Sequence, residues 1–387
     1  MANQAAGPRQ AFGDTATGCL REGALPEWAL TDGSVGLPGL GESVGEEITS
    51  ARRAAPVTLR EVALRAGVST SAVSRAFTPG ASVSAGKRAV IEAAAAELGY
   101  TPSVLASALT TGRTQMIGLV SNNFRNPVFL EVFDQFTRGL QDRGLRPLLV
   151  NLSGGMAVED AVLMLRRYSV DGVILASSTV PPTHAGKFLG AGLPIVHCFG
   201  RWSPAPEVNI IGVDNRAAGG LAARTLLDRG YRRIAFLGGP ESATSTQDRL
   251  AGFREGAEAG NGVTVRTSFA AAYSFDAGRA EMQRLLSLGP PAEAYFCGDD
   301  VLSIGALSAL ADAGLAVPGD VGVLGFNDMD MSRWTNINLT TVRQPIAEVI
   351  AASIDLVVAS LNDPTLPPKA RLFECSIVER GTLRSIR

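Results

Sequence analysis

The pattern of apolar and polar positions around residue 60 predicts two short helices joined by a tight turn. Apolar side chains recur at helical spacing on both sides of the stretch Ala66-Gly67-Val68-Ser69. Thr58, with Glu61 three residues later, has the spacing of a capping box at the start of the first helix. Ser69 can cap the second helix, which we expect over residues 70–77.

The second predicted helix turns its polar residues outward. With Val73 and the alanines facing inward, it presents Thr70, Ser71, Ser74 and Arg75. Hydroxyl side chains and an arginine at the N-terminal end of a helix suit entry into the DNA major groove, where arginine binds guanine with two hydrogen bonds. On spacing alone, an ordinary pair of packed helices fits the pattern equally well.

A third helix and a short joint follow. Ser84 is a candidate N-cap and Gly99 a candidate end for a helix over residues 85–98, and Pro102 prevents its continuation. The apolar run 104–109 is too short for a stable helix by itself, because nucleation costs more than one or two turns return. We therefore expect residues 103–113 to form a hinge or linker that is loose without DNA.

From residue 114 onward, short apolar runs alternate with helical patterns. The sequence predicts strands at 116–120, 147–150, 172–175, 194–197, 234–237, 294–297 and 321–325, and helices near 129–143, 217–229, 250–259, 276–286 and 301–313. Alternating apolar strands and helices predict parallel sheets covered on both faces, and the length fits two doubly wound lobes. We expect the run 211–215 to open the second lobe. The predicted fold class is thus an all-α helix–turn–helix headpiece followed by a two-lobed α/β core.

Composition and charge fit this division. The 387 residues are 46% hydrophobic and carry a net charge of −2, which is enough apolar material for two or three compact units. Basic side chains outnumber acidic ones between Val57 and Arg113, as is typical of a DNA-binding unit attached to a body that does not bind DNA. Residues 1–56, rich in small residues and without a period, predict a disordered extension. A start codon placed too early would explain the same stretch.

The sequence shows no pattern typical of a metal site, a disulfide or a membrane span. The 4 cysteines lie far apart and there are only 2 histidines, so we expect no metal site, disulfide or cofactor. No apolar run approaches the roughly 20 residues of a membrane span. The start of the sequence also has no charged-then-apolar signal pattern, so we expect a cytoplasmic protein.

Catalytic motifs are not recognisable either. The stretch from Gly80 to Lys87 resembles a phosphate-binding loop, but its spacing is one residue too long and no Ser or Thr follows the lysine. We therefore expect a protein that is not an enzyme.

Several segments agree in register with the DNA-binding headpiece of the lactose-repressor/galactose-repressor (LacI/GalR) family, which the chain resembles. They are Val57-Thr58-Leu59-Arg60-Glu61-Val62-Ala63, Ala66-Gly67-Val68-Ser69, Val73-Ser74-Arg75, Val83-Ser84 and Leu98-Gly99-Tyr100-Thr101-Pro102-Ser103. The remaining chain resembles that family's sugar-binding core as far as Arg380. The resemblance implies a headpiece at 57–102 and an effector-binding and dimerisation core at 114–387. In that core, the chain passes between two periplasmic-binding-protein-like lobes near residues 212, 328–340 and 370.

The resemblance also implies contacts with double-stranded operator DNA, bound as a pseudo-palindrome by a homodimer. Bases would be contacted by Thr70, Ser71 and Arg75. Phosphates, which position a protein without specifying sequence, would be held by Thr58, Ser69, Ser74, Ser84 and Lys87. In the family, hinge helices form on the operator and press a leucine into the minor groove, which kinks the duplex. Ala106 and Leu109 occupy these hinge positions.

For the effector, the resemblance implies a sugar-like molecule between the lobes. The implied contacts are Phe129, Ser245, Arg249, Tyr273 and Asn327, with Arg201 as a weaker candidate. Asp299 and Asp300 could also touch the effector, but they fit the cap of the following helix at least as well. Asp214 and Asn215 fit a helix cap better than a ligand contact. The family commonly has an aspartate where this chain has Asn327, and a neutral amide there favours an anionic sugar acid or phosphate.

Other functions share parts of this pattern. A solute-binding component of sugar uptake has the two-lobed core, but it needs export and no DNA-binding headpiece. An α/β enzyme could use the same cleft, although no acid–base constellation is visible. Among regulators, an activator of the same family fits the sequence as well as a repressor does.

Overall fold

Three helices form the N-terminal unit of the structure, a computed structural model that describes residues 57–78, 80–102, 108, 112–258 and 260–386. They are α1 (Leu59–Ala66), α2 (Thr70–Ala76) and α3 (Ala85–Leu98). Val62, Val73 and Ile91, one from each helix, are fully buried in its core. The predicted extension at 1–56 and the hinge residues Ala106 and Leu109 lie outside the described residues.

The helix ends follow from local chemistry, as predicted. The Thr58 hydroxyl accepts a hydrogen bond from the Glu61 amide, and the Glu61 carboxylate accepts one from the Thr58 amide at 2.6 Å, which completes a capping box. The Ser69 hydroxyl caps α2 through the Ala72 amide at 3.3 Å. Gly67 (φ 64°) and Gly99 (φ 67°) end α1 and α3 in the left-handed conformation that favours glycine.

Strands and helices alternate from residue 116 onward. Up to the first passage between the lobes the elements are β1 (Met116–Ser121), α4 (Val128–Gln141), β2 (Arg146–Asn151), α5 (Val158–Arg167), β3 (Gly172–Ala176), α6 (Pro182–Gly190), β4 (Ile195–Cys198) and β5 (Asn209–Val213). They are followed by α7 (Asn215–Leu227), β6 (Arg233–Gly238), α8 (Thr244–Glu258), β7 (Thr264–Phe269), α9 (Phe275–Ser287), β8 (Ala294–Cys297), α10 (Asp300–Asp312), β9 (Gly322–Asn327), a 3₁₀ turn (Asp330–Arg333), β10 (Thr341–Arg343), α11 (Ile346–Asn362), β11 (Ala370–Phe373) and β12 (Ser376–Val378).

The strands form two sheets, one in each lobe. In the first the order is β11-β5-β4-β3-β1-β2, with every pair parallel. In the second the order is β12-β10-β9-β8-β6-β7, and only the β10–β12 pair is antiparallel. The prediction that 211–215 opens the second lobe is wrong, because Asn209–Val213 pairs with β4 and with β11 inside the first sheet. A buried apolar run does not reveal which sheet it joins.

The chain passes between the lobes at three places in the described residues. It leaves the first sheet after Val213, returns between β10 and α11, and leaves again between β11 and β12. The second passage thus follows the predicted range 328–340, because β10 still pairs with β9 in the second sheet. The third lies a few residues after position 370, since β11 pairs with β5 as far as Phe373.

This topology brings the carboxyl ends of the parallel strands from both lobes to one cleft. Ligands in open α/β sheets bind at that end. No helix in the described ranges is long and apolar enough to cross a membrane.

Candidate functional site

The DNA-facing candidates on α2 are exposed. Thr70, Ser71 and Arg75 all have accessible side chains. The Arg75 Nε donates a hydrogen bond to the Ser71 carbonyl oxygen at 3.3 Å, so this side chain lies along its own helix. It must leave that position to reach a base.

The predicted phosphate contacts divide into two groups. Thr58 and Ser69 use their hydroxyls in helix caps, and Ser74 is half-buried. Ser84 is the N-cap residue of α3 but its side chain makes no capping hydrogen bond, and Lys87 is exposed in the first turn of the same helix. Ser84 and Lys87 therefore offer donors to solvent, whereas Thr58 and Ser69 shape the helix ends.

A cleft between the lobes collects most of the predicted effector residues. It encloses about 520 Å³ when the part open to solvent is included. The second lobe and the passages supply Asn215, Arg249, Tyr273, Asp299, Asn327, Gln344 and Ile346. The first lobe supplies Asn123, Asn126, Val128, Phe129, Val132, Ser178, Phe199 and Val213. The cleft therefore has one apolar side and one side rich in amides, with a single arginine and a single carboxylate.

Arg249 is fixed by neutral groups. The Nε donates to Asn215 Oδ1 at 2.8 Å and the Nη1 donates to the Gly298 carbonyl at 2.5 Å. The guanidinium carbon lies 3.6 Å from the centre of the Phe326 ring, in cation–π geometry. The side chain is only 4% exposed, and this burial lowers the pKa of the guanidinium below its usual range. Arginine stays charged in proteins, so the cleft contains a fixed positive charge.

A chain of hydrogen bonds crosses the floor of the cleft. Asp299 Oδ2 accepts from Asn126 Nδ2 of the first lobe at 2.7 Å and from Asn327 Nδ2 at 2.9 Å. Gln344 Nε2 in turn donates to Asn327 Oδ1. Burial, together with the neighbouring Asp300 carboxylate, raises the pKa of the Asp299 carboxyl to about 6, although Val301, Asn126 and Arg249 oppose the shift. The floor therefore joins the two lobes directly.

Asn327 is the residue that reaches the cleft at the end of β9, and Asp328 is not. Both have positive φ values, 124° and 61°, which non-glycine residues rarely adopt. This turn directs the Asp328 carboxylate away, into ion pairs with Arg343 and Arg380 at 2.6 Å each. A carboxylate nevertheless lies at this place, because Asp299 contacts Asn327. The predicted preference for an anion rested on the neutral amide alone and did not take this carboxylate into account.

The aromatic candidates line opposite sides of the cleft. Phe129 packs against Phe199 with the ring centres 6.1 Å apart. The Tyr273 hydroxyl lies 2.7 Å from the Thr246 hydroxyl and 3.4 Å from that of Ser245. Ser245 itself is buried and is not among the lining residues, so it supports Tyr273 from behind.

The weaker candidates have other contacts. Arg201 forms a 2.5 Å ion pair with Asp248, from the first lobe to the second. Asp300 is fully buried and accepts hydrogen bonds from Thr341, Ser332 and the Met329 amide, which is a structural role. Asp214 caps α7 as expected. Asn215, in contrast, lines the cleft and binds Arg249.

Sequence reasoning missed Asn126 and Gln344. Asn126 lies between β1 and α4, where a polar residue after a buried strand is a usable signal. Gln344 lies on a passage between the lobes, and its position could not be inferred without the sheet topology.

Groups for metal or covalent chemistry are not assembled in the described part of the chain. No cluster of three or more His, Cys, Asp or Glu side chains is found there that could hold a metal ion. Burial raises the pKa of Cys198, Cys297 and Cys375 to about 12, so these thiols stay protonated and unreactive.

A helix–turn–helix unit joined to a two-lobed core with a polar cleft defines a class, that of DNA-binding repressors controlled by an effector. Comparison with known proteins supports both parts. Residues 58–103 match the bacterial regulatory proteins of the lacI family, and residues 223–383 match a periplasmic binding protein-like domain. The chain belongs to the LacI family of bacterial regulatory proteins.

Individual relatives agree with this assignment. The chain is 32% identical over 331 residues to the ribose operon repressor of Escherichia coli (strain K12), covering 84% of this chain and 99% of that protein. It matches the crystal structure of the lac repressor dimer bound to operator and the anti-inducer ONPF with a TM-score of 0.76 and 26% identity, over 85% of this chain and 100% of that one. For a complex of the transcriptional regulator CelR with cellobiose, the TM-score is 0.63 at 29% identity, over 84% and 99%. The predicted fold class and regulatory function are confirmed.

Proposed function

We propose that the protein represses transcription as a homodimer on a pseudo-palindromic operator, and that a sugar-like molecule in the cleft controls its DNA affinity. Relatives support each part: one is named for the ribose operon, one is a dimer on its operator, and one is bound to cellobiose. The observation that carries the proposal is the cleft, where a buried arginine and several amides face an apolar wall between two lobes. We propose no catalytic activity, and binding to operator DNA implies action in the cytoplasm.

For the DNA end, we propose that Thr70, Ser71 and Arg75 read bases from α2. Their exposure supports this role, and so does the place of Thr70 and Ser71 in the first turn of the second helix, with Arg75 one turn after Ser71. Ser84 and Lys87 would contact phosphates directly. Thr58 and Ser69 would do so from the N-caps of α1 and α2, and Ser74 from within α2. The proposed units are the extension 1–56, the headpiece 57–102, the hinge 103–113 and the core 114–387.

For the cleft, we propose Phe129, Arg249, Tyr273 and Asn327 as effector contacts, with Ser245 acting through Tyr273. An effector changes DNA affinity only if it binds the two arrangements of the lobes with different affinity. The hinge, with Ala106 and Leu109 in the minor groove, would transmit that difference to the operator.

The first test is the substitution Arg75→Ala. Operator fragments would be selected from random inverted repeats with the full-length protein, and binding measured by fluorescence anisotropy at several salt concentrations. We expect Arg75→Ala to lose the preference for the selected fragment over random DNA, while the salt slope falls by only about one.

Arg65→Ala is the matched control. Arg65 lies on α1 of the same unit and forms a 2.6 Å ion pair with Glu97. Its removal takes away one positive charge but no proposed base contact, so specificity should persist. Equal specificity in both variants would contradict the role of Arg75, and a wild-type protein that prefers no inverted repeat would contradict the proposed function.

A further inference from the structure

The floor of the cleft contains a buried cation and a buried carboxylate that are not ion-paired. Arg249 and Asp299 are each 4% exposed. Arg249 donates its hydrogen bonds to the neutral oxygens of Asn215 and Gly298, and no carboxylate oxygen of the described residues lies within 4.0 Å of its guanidinium. Both side chains line the cleft, so the two charges face the same space.

Neutral donors hold the Asp299 carboxylate in place. They are the Asn126 and Asn327 side-chain amides, at 2.7 and 2.9 Å, and the Val301 amide, at 2.9 Å. Hydrogen bonds of this kind favour the ionised form, whereas burial disfavours it. The result is a pKa of about 6, so the group is ionised at neutral pH and above.

We propose that Asp299 determines the charge selectivity of the cleft, because its carboxylate opposite Arg249 admits an uncharged, hydroxyl-rich effector and excludes carboxylates and phosphates. This inference rests on the proposed effector role of the cleft. With both groups charged, the floor is neutral overall. An anion that approached Arg249 would also meet the carboxylate in a poorly solvated space, where like charges repel strongly.

A hydroxyl group fits the same two partners. The Arg249 Nη2 makes no hydrogen bond within the described chain and can donate to a hydroxyl oxygen. The same hydroxyl can donate its hydrogen to a carboxylate, which has acceptors only. The apolar wall around Phe129 and Phe199 suits the carbon face of a ring.

The other groups packed around Asp299 leave its role intact. Asp300 is buried and directed to Thr341 and Ser332, and its carboxylate contributes to the raised pKa of Asp299. Cys297 stays a neutral thiol, since its pKa is about 12. Asp299 is therefore the carboxylate in this neighbourhood that lines the cleft.

The test uses inorganic phosphate as the probe and needs no DNA. The full-length wild type and Asp299→Asn would be melted at about pH 8, where Asp299 is ionised, with increasing phosphate at constant ionic strength. Asparagine keeps one accepting oxygen, which can cap α10 through the Val301 amide, while its NH2 group replaces the oxygen that accepts from Asn126 and Asn327. We expect no saturable rise of Tm for the wild type and a saturable rise of about 2 °C or more for the variant.

Two further variants identify the source of the effect. Glu131→Gln removes an exposed acid from α4, which also carries Phe129 but does not place this acid in the cleft lining. This control should respond like the wild type. Asp299→Asn combined with Arg249→Gln should lose the phosphate response, because the cation that would hold the anion is gone.

The wild type at about pH 5 provides a second measurement that does not depend on a variant folding. Protonation of Asp299 should then produce the phosphate response in the wild type. Asp299→Asn should respond at both pH values, more weakly at about pH 5, where phosphate carries one negative charge fewer, and this separates Asp299 from Asp300. A wild type that binds phosphate at about pH 8 through Arg249, or a variant without any response, would overturn the proposal. Failure to bind any operator would instead contradict the regulatory function and leave this result standing.

Discussion

At the scale of single residues, burial shifts two pKa values in opposite directions. His197 is 1% exposed, its Nε2 lies 3.0 Å from the Ser177 carbonyl, and its Nδ1 has no partner. Burial lowers the pKa of this imidazole from 6.5 to about 4. Burial raises the pKa of Asp299 from 3.8 to about 6. The folded protein therefore favours the neutral form of both groups.

The consequence for His197 is a loss of stability in acid. Between its folded and unfolded pKa values, the unfolded chain binds a proton that the folded chain does not. Its contribution is present above pH 6.5 and is lost as the pH falls through about 4, by up to about 3 kcal/mol. We expect the free energy of unfolding of the wild type, relative to that of His197→Gln, to fall across this window in urea titrations.

The titration of Asp299 does not affect this comparison. Its contribution has the opposite sign, since it is present below pH 3.8 and is lost as the pH rises through about 6. Both proteins contain Asp299, so its effect cancels in the difference. A difference between the two proteins that stays constant with pH would contradict the assignment of His197 as a buried neutral base.

At the scale of elements, glycines set how closely α7 and α8 approach. A Cβ at Gly252 of α8 would lie 1.8 Å from the Arg216 carbonyl oxygen, and one at Gly219 of α7 would lie 2.1 Å from that of Arg249. Arg249 is one turn before Gly252 on α8. The close packing of α7 against α8 therefore also fixes where along the cleft the Arg249 guanidinium lies.

Gly252→Ala tests this packing. The added methyl group meets backbone, which cannot rotate away, so we expect a loss of about 1–3 kcal/mol or more in the free energy of unfolding. Gly186→Ala in α6 is the control, because nothing lies within 4 Å of its added Cβ. It should be neutral or stabilising by up to about 1 kcal/mol, as alanine is the better helix former. Chemical denaturation that ranks the two variants equally would contradict the argument.

Elements with strong local signals could be predicted from the sequence, and their partners could not. The helix over 85–98 was predicted with the bounds that the structure has, because Ser84, Gly99 and the apolar spacing agree. Four strands with weaker patterns were missed. They are β7, whose burial alternates, and the short β10, β11 and β12. The run 211–215 was assigned to the wrong lobe, since strand pairing depends on distant residues.

In the cleft, too, some residues could be predicted from local sequence signals and others could not. Phe129, Arg249, Tyr273 and Asn327 were predicted and line the cleft. Asp299 fitted a helix cap and a ligand contact equally well in the sequence, and the structure shows that it caps α10 and also lines the cleft. Its bond to Asn126 joins residues 173 positions apart, which no local pattern reveals.

At the scale of the whole molecule, side chains tie the lobes together at the rim as well as at the floor. Arg201 of the first lobe forms its ion pair with Asp248 of α8 at 2.5 Å. The Thr244 hydroxyl donates to the Ser178 carbonyl at 3.4 Å. These contacts stabilise the arrangement of the lobes that the structure has.

Reversal of the charge at Arg201 should open the cleft, and additional reversal of the charge at Asp248 should restore it. Arg201→Asp places two carboxylates opposite each other, and like charges at this distance repel. We expect a larger radius of gyration of the full chain in small-angle X-ray scattering. Addition of Asp248→Arg to the same chain recreates the pair with exchanged partners and should return the wild-type value. An unchanged radius in the single variant, or no recovery in the double variant, would argue against the rim pair as a closure contact.

The three passages of the chain also constrain its synthesis. The first sheet is completed by β11, and α11 packs on its strands, yet both are translated after nearly all of the second lobe. The second sheet is likewise complete only after β12 has been translated. A growing polypeptide therefore cannot close either core until the final stretch leaves the ribosome. We expect premature termination before residue 346 to leave a fragment with two open cores, which cellular proteases would degrade instead of a half-sized protein that persists.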